Sequence, residues 1–160
     1  MPIKIITADY NDSSHARDLV SMLNIYALDL MGGGKALPEN VAQNLVPALR
    51  QRSSAFSFLA YKGEQPVGLA NCFEGFSTFK ARPLVNIHDI VVHPDHRGIG
   101  ISQKLLDSIE GEAKVRGACK ITLEVLSGNN IAKKSYQKFG FNGYELDPEA
   151  GQALFWEKPL

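Results

Sequence analysis

The sequence predicts an α/β domain, on three observations. Short runs dense in β-branched and aromatic residues, as at 56–60 and 85–92, suit buried strands. Longer segments in which apolar residues recur at helical spacing lie between them, as at 19–30 and 101–113. Between 84 and 106 the two patterns meet at Pro94 and the glycines Gly98 and Gly100, which reads as strand, tight loop and helix.

The elements follow in order. Ile3, Ile5 and Thr7 alternate with Lys4 and Ile6 as a first strand, and Ser13 or Ser14 is the expected N-cap of a helix carrying Leu19, Val20, Leu23, Tyr26, Ala27 and Leu30. That helix ends at Gly32, Gly33 and Gly34, which composition reads as a mobile hinge. Pro38 is placed as the first residue of a second helix, with Val41, Leu45, Ala48 and Leu49 on one face before Arg50 and Arg52. Strands are expected at 56–60 and 67–73 around a hairpin turn at 62–66, and Gly75 suits a bulge as 74–79 prolongs the second of them.

Val85, Ile87, Ile90, Val91 and Val92 then form the most apolar strand, stopped by Pro94. Ile101, Leu105, Leu106, Ile109 and Ala113 share the face of the following helix, and Arg116 and Gly117 end it. A strand at 120–126 and a short helix with Ile131, Ala132, Ser135, Tyr136 and Phe139 on one face follow, with Gly140 as cap and Phe141 as its closing contact. A final strand is expected at 153–158. Its consecutive Leu154, Phe155 and Trp156 make both faces apolar.

Composition narrows the function classes. With 160 residues the chain is read as one domain, 1–160, and its 44% hydrophobic and 21% charged content is that of a globular protein. Seventeen basic and seventeen acidic residues leave no field to recruit nucleic acid. No apolar run reaches membrane-spanning length, and the first residues lack the apolar centre of a signal peptide, so a cytoplasmic location is expected and Asn11-Asp12-Ser13 is not read as a glycosylation site. Cys72 and Cys119 read as reduced thiols.

The loop before the 101–113 helix points free N–H donors and the positive end of a helix dipole at its occupant, and phosphate is the usual one. It is not a dinucleotide fingerprint, since Gln103 stands where the third glycine belongs. It is not a P-loop either, since Gly34-Lys35 continues with Ala36. Arg97-x-x-Gly100-x-Ser102 instead resembles the acetyl-CoA pyrophosphate loop of the GNAT superfamily of N-acetyltransferases, [QR]-x-x-G-x-[GA], departing from it at Ser102. Asn129-x-x-Ala132-x-x-x-Tyr136-x-Lys138-x-Gly140-Phe141 resembles the second signature of that family.

The resemblance implies a central mixed, mostly antiparallel sheet of about seven strands flanked by about four helices. It implies acetyl-CoA as cosubstrate, with no metal, bound through the loop residues Arg97, Gly98, Ile99, Gly100, Ile101, Ser102 and Gln103, through Asn129 and Tyr136, and through the backbone of Ile90, Val91 and Val92, where two strands splay apart. Tyr136 takes the family's general-acid position. His88 stands on the fourth strand where many polyamine-type members place a carboxylate, and Asp89 follows it. Because consecutive strand residues face opposite sides, only one of the two is expected to reach the substrate. His88 is the candidate catalytic base and Asp89 a substrate contact; water remains an alternative base.

The expected activity is transfer of acetyl from acetyl-CoA to the primary amine of a small molecule, by direct attack in a ternary complex. The alternatives are acetylation of a protein N-terminus or lysine, and a CoA-binding protein without turnover. The acceptor pocket is expected between the first two helices, the 32–34 hinge and 74–79, with Asp29, Glu74 or Asp89 able to attract a cation. A homodimer is expected from the two-faced final strand, with neither nucleic acid nor membrane as partner.

Overall fold

The computed structural model describes residues 1–144 and 147–160. One sheet runs in the order β1 (Ile3–Thr7), β2 (Ala55–Lys62), β3 (Gln65–Ser77), β4 (Arg82–Val92) and β5 (Ile121–Leu123). Neighbouring strands are antiparallel except β4 and β5, which are parallel, so the sheet is mixed and mostly antiparallel. Helices α1 (Ser13–Leu28) and α2 (Glu39–Arg50) cover one face, and α3 (Ile101–Val115) with α4 (Asn130–Phe139) the other.

Strand alternation sorts side chains into two cores. Leu59, Leu69 and Val91 turn to Leu19, Met22, Val46 and Leu49 of α1 and α2. Ala60, Ala70, Cys72, Val85 and Ile87 turn to Ile101, Leu105, Leu106 and Ile109 of α3. Each of the larger α3 side chains contributes about 1.5–3 kcal/mol by leaving water, which fixes the helix against β3 and, with it, the loop at its N-terminus. Gly68 lets the two approach: a Cβ there would stand 3.1 Å from Ile101 Cγ2 and 3.2 Å from Leu105 Cδ1.

Local expectations are corrected at several places. Asp12, not Ser13 or Ser14, caps α1, accepting from the N–H groups of Ser14 at 2.8 Å and His15 at 3.1 Å. Pro38 occupies the cap position of α2, one residue before the helix begins. The triglycine segment is a pinned turn: Asp29 Oδ1 caps a short 3-10 turn at Leu30–Gly32, and the N–H groups of Gly32 and Gly34 both donate to the Asp29 carbonyl. The strand expected over 120–126 pairs only through Leu123, because β4 offers its parallel neighbour no partner after Ile87.

Five strands form among the described residues, fewer than about seven. The final strand at 153–158 is absent; Gln152 makes a lone bridge, and Leu154, Phe155 and Trp156 are exposed. A strand is as long as the edge it pairs with, and β5 offers three residues. No described helix is long and apolar enough to cross a membrane.

Candidate active site

The expected bulge at Gly75 is not there; Gly75 pairs regularly with Leu84. The irregularity falls on β4, where Cys72 pairs with Ile87 and Asn71 with Asp89, leaving His88 as the extra residue. This overturns the rule that His88 and Asp89 must face opposite sides. The His88 ring lies edge-on to Phe73, and Asn71 Nδ2 donates to Asp89 Oδ2 at 3.1 Å; Asn71 and Phe73, two apart on β3, share the α1 face. Both candidates therefore stand on the side covered by α1 and α2, His88 exposed and Asp89 half-buried.

Asp89 closes a row of buried polar groups. Ser57 Oγ donates to Asn71 Oδ1 at 2.6 Å, and the Tyr10 hydroxyl lies 2.8 Å from Ser57 Oγ. The serine has one proton and gives it to Asn71, so Tyr10 donates to Ser57. Tyr26 of α1 is within the field of Asp89, and its phenol is raised first by burial and then by that carboxylate. Cys72 is pushed up to about 12, again by burial first and Asp89 second. Both cysteines are free.

On the other side of the sheet, β4 stops pairing with β5 after Ile87, so Ile90, Val91 and Val92 have no strand neighbour there. The loop follows. His93 Nδ1 accepts from the Asp95 N–H, holding a 3-10 turn at Pro94–His96. Gly98 and Gly100 take φ values of +80° and +87°, and a Cβ on either would meet no heavy atom within 4 Å. The helical ladder of α3 begins only with Lys104 N–H on the Gly100 carbonyl, and no side chain caps it. Among the described residues, the N–H groups of Gly98, Ile99, Gly100, Ile101, Ser102 and Gln103 have no protein acceptor. They form an open donor cradle of the size and polarity of a phosphate site. The side chains beside it are committed elsewhere. Arg97 donates through Nε to the Val92 carbonyl at 3.1 Å and pairs with Asp29 at 3.3 Å. The Met31 N–H and then Arg97 hold the Asp29 carboxyl below its usual range.

Ser102 and Gln103 bind the Ser135 side chain, and Gln103 its carbonyl too, so the first turn of α3 is tied to the middle of α4. Asn129 accepts from the Ala132 N–H as the cap of α4, which leaves its amide donors free. Tyr136, on the next turn, packs its ring edge-on to Phe141 in the α3 layer. Its phenol is pushed up to about 12, by burial first and by Tyr26 second.

The structure therefore places His88, Asp89 and Tyr26 on the α1 side of the sheet and Tyr136 in the α3 layer, and leaves Ile90, Val91 and Val92 along an unpaired β4 edge that leads to the cradle. It directs Gln103 and the Asn129 carbonyl into structural bonds. Sequence reasoning missed Tyr26, assigned to a helix face, and the row Tyr10, Ser57 and Asn71. The signal was an Asn in the middle of an otherwise apolar strand, where a polar side chain must be answered. No group of three or more metal-ligating side chains converges among the described residues.

A sheet that parts beside an anion cradle, with a phenol and a carboxylate at the opening, is the framework of a group-transfer enzyme. The model of the Acetyltransferase (GNAT) family matches residues 19–141, and the chain belongs to this family of acyltransferases. It is 32% identical over 99 residues to an uncharacterized N-acetyltransferase of Methanocaldococcus jannaschii, a match covering 61% of this chain and 44% of the relative. Over 122 residues it is 26% identical to a thialysine N-epsilon-acetyltransferase of Caenorhabditis elegans, covering 76% of this chain and 74% of that protein. The chain thus spans under half the length of the archaeal relative and about three quarters of the nematode one. An aminoglycoside acetyltransferase from an uncultured soil metagenomic sample, solved with sisomicin, superposes with a TM-score of 0.80 at 16% identity, over 99% of this chain and 96% of that one. A likeness at that identity speaks for the fold.

Proposed function

We propose that this protein transfers the acetyl group of acetyl-CoA to the primary amine of a small molecule, by direct attack in a ternary complex. The observation that carries the reading is the arrangement of open N–H donors at 98–103, an unpaired β4 edge at 90–92 and Tyr136 beside it, with Asp89 and His88 across the sheet. The residues fit the cosubstrate: the donors suit a pyrophosphate, Gly98 and Gly100 keep the approach clear, and a strand-wide gap suits an extended arm.

Acetyl-CoA supplies a thioester, whose carbonyl is already activated. The chain's residues then handle two protons. An amine at neutral pH arrives as ammonium, and Asp89 or His88 takes its first proton, directly or through water, so that a lone pair faces the carbonyl carbon. As the C–N bond forms and the C–S bond breaks, the sulfur leaves as a thiolate; Tyr136, held neutral by burial, has a proton to give it. The second amine proton goes to solvent. The thialysine acetyltransferase among the sequence relatives favours a small cationic amine, while the structural neighbours include both aminoglycoside and ribosomal-protein-alanine acetyltransferases.

The test is release of free CoA thiol with a panel of small polyamines, amino sugars and lysine analogues set against peptides with free N-termini and lysines. Turnover confined to the small amines is expected. Turnover on peptides alone would assign a protein acceptor, and acetyl-CoA binding without turnover on either panel would make the chain a binder.

A further inference from the structure

We propose that Asn71 is a positioning residue for Asp89, and that the buried row Tyr10, Ser57 and Asn71 aims this carboxylate at the acceptor side through a one-way chain of donors. The inference rests on the acetyltransfer reading only for what the carboxylate then does.

The case is one of donor direction. Ser57 and Asn71 are almost fully buried, at 0% and 3% exposure, in the centre of a sheet face otherwise lined with Leu59 of β2, Leu69 of β3 and Val91 of β4. A polar pair there needs partners, and every bond in the row points one way. Tyr10 donates to Ser57, Ser57 donates to Asn71 Oδ1, and Asn71 is left with only its NH2 to offer Asp89. An amide has one accepting and one donating end, so the serine proton decides which end meets the carboxylate. The row therefore offers Asp89 a donor, and an ionised carboxylate accepts from it more strongly than the carbonyl oxygen of the neutral acid does.

The β4 bulge completes the arrangement by setting Asp89 directly opposite Asn71. The titratable groups on the same side as Asp89 are Tyr26 from α1 and His88 beside it on β4, while Cys72 of β3 lies behind it on the α3 face. Asn71 is the neutral donor that balances them. His88, by contrast, has ring contact with Phe73 and stands exposed. The geometry thereby favours Asp89 over His88 as the group that receives the ammonium proton.

The experiment reads Asp89 without substrate, so its outcome is separate from that of the activity panel. Carboxyl-carbon NMR of the whole protein, with the Asp89 signal assigned through Asp89→Asn, gives the titration midpoint. The Asn71 side-chain N–H signals are expected to shift with that same midpoint in the unaltered protein; signals that stay constant through the titration of Asp89 overturn the proposal. Asn71→Leu, close in size and apolar, is expected to move the midpoint upward by about one pH unit, a tenfold rise in proton affinity. Ser57→Ala, which frees the amide to turn its oxygen toward Asp89, is expected to move it in the same direction. A midpoint unmoved in folded Asn71→Leu or Ser57→Ala, with only the melting temperature lowered, assigns the row to core satisfaction and overturns the proposal. If acetyltransfer is also established, the acidic limb of kcat/KM is expected to follow the midpoint in both variants.

Discussion

Tyr136 is the side chain whose chemistry can be isolated most cleanly. Tyr136→Phe keeps the ring against Phe141 and removes one hydroxyl, so acetyl-CoA affinity is expected to survive while kcat falls roughly a hundredfold to ten-thousandfold. Calorimetry and turnover on the same preparation check this; a loss in affinity instead would make the hydroxyl a binding group. Burial lifts the phenol from 10.0 to about 12, so it adds no basic limb to the rate profile near neutral pH. The sign for stability follows: the native state keeps a proton that the unfolded chain releases above pH 10.0, so this contribution is whole below that pH and is lost as pH rises toward about 12. Between pH 9 and pH 12 the native protein is expected to lose thermal stability relative to the Phe variant, which has no phenol to ionise. The residue's role was legible because its signature is local, an Asn, a Tyr and a Gly-Phe pair on one short helix. The companions Tyr26, Asn71 and Ser57 lie on three different elements, and nothing in linear spacing brings them together.

Among the elements, loop and turn glycines separate binding from folding. At Gly100 the backbone is left-handed and its surroundings are open. Gly100→Glu thus carries the left-handed penalty, roughly 1–2 kcal/mol, yet folds; its carboxylate enters the donor cradle, so acetyl-CoA binding is expected to vanish in calorimetry. Gly32 is the opposite case. A Cβ there would stand 1.9 Å from the Tyr26 carbonyl oxygen, whereas at Gly33 it would meet nothing within 4 Å. Gly32→Ala must therefore part the 3-10 turn from the end of α1, and its melting temperature is expected to fall well below that of Gly33→Ala. Equal melting temperatures would mean that the turn is free to move aside. Most helices and the first four strands could be read from apolar period, since each buries one continuous face. Strand lengths at the C-terminal side could not, because they depend on how far a neighbouring edge extends.

For the whole molecule, the unpaired end of the chain is the open question of assembly. Leu154, Phe155 and Trp156 are 75%, 72% and 82% exposed, so the described residues leave them largely uncovered. We infer that a second copy covers them, and sedimentation at micromolar concentration is expected to give a dimer. Phe155→Ser combined with Trp156→Ser is expected to give a monomer; an unaltered chain that is monomeric removes the inference. The apolar run at 154–156 was visible in the sequence, but a run of apolar residues does not say which surface, or whose, will meet it.

The extra residue of β4 leaves an arithmetic signature on the chain. Up to the irregularity the odd positions Val85 and Ile87 serve the α3 core, and beyond it the even positions Ile90 and Val92 do, while Val91 serves the α1 core. The strand therefore changes parity once, at His88. A deletion normally throws a strand out of step with its sheet, but removing this one codon would restore strict alternation from Ile87 to Val92 with every buried side chain still on its own face. The shortened protein is expected to fold at least as stably as its parent, with a straighter β4 able to continue its ladder with β5. The gap would close, and acetyl-CoA affinity with it. In that sense the cleft is a single inserted residue, held open by a frameshift between two cores.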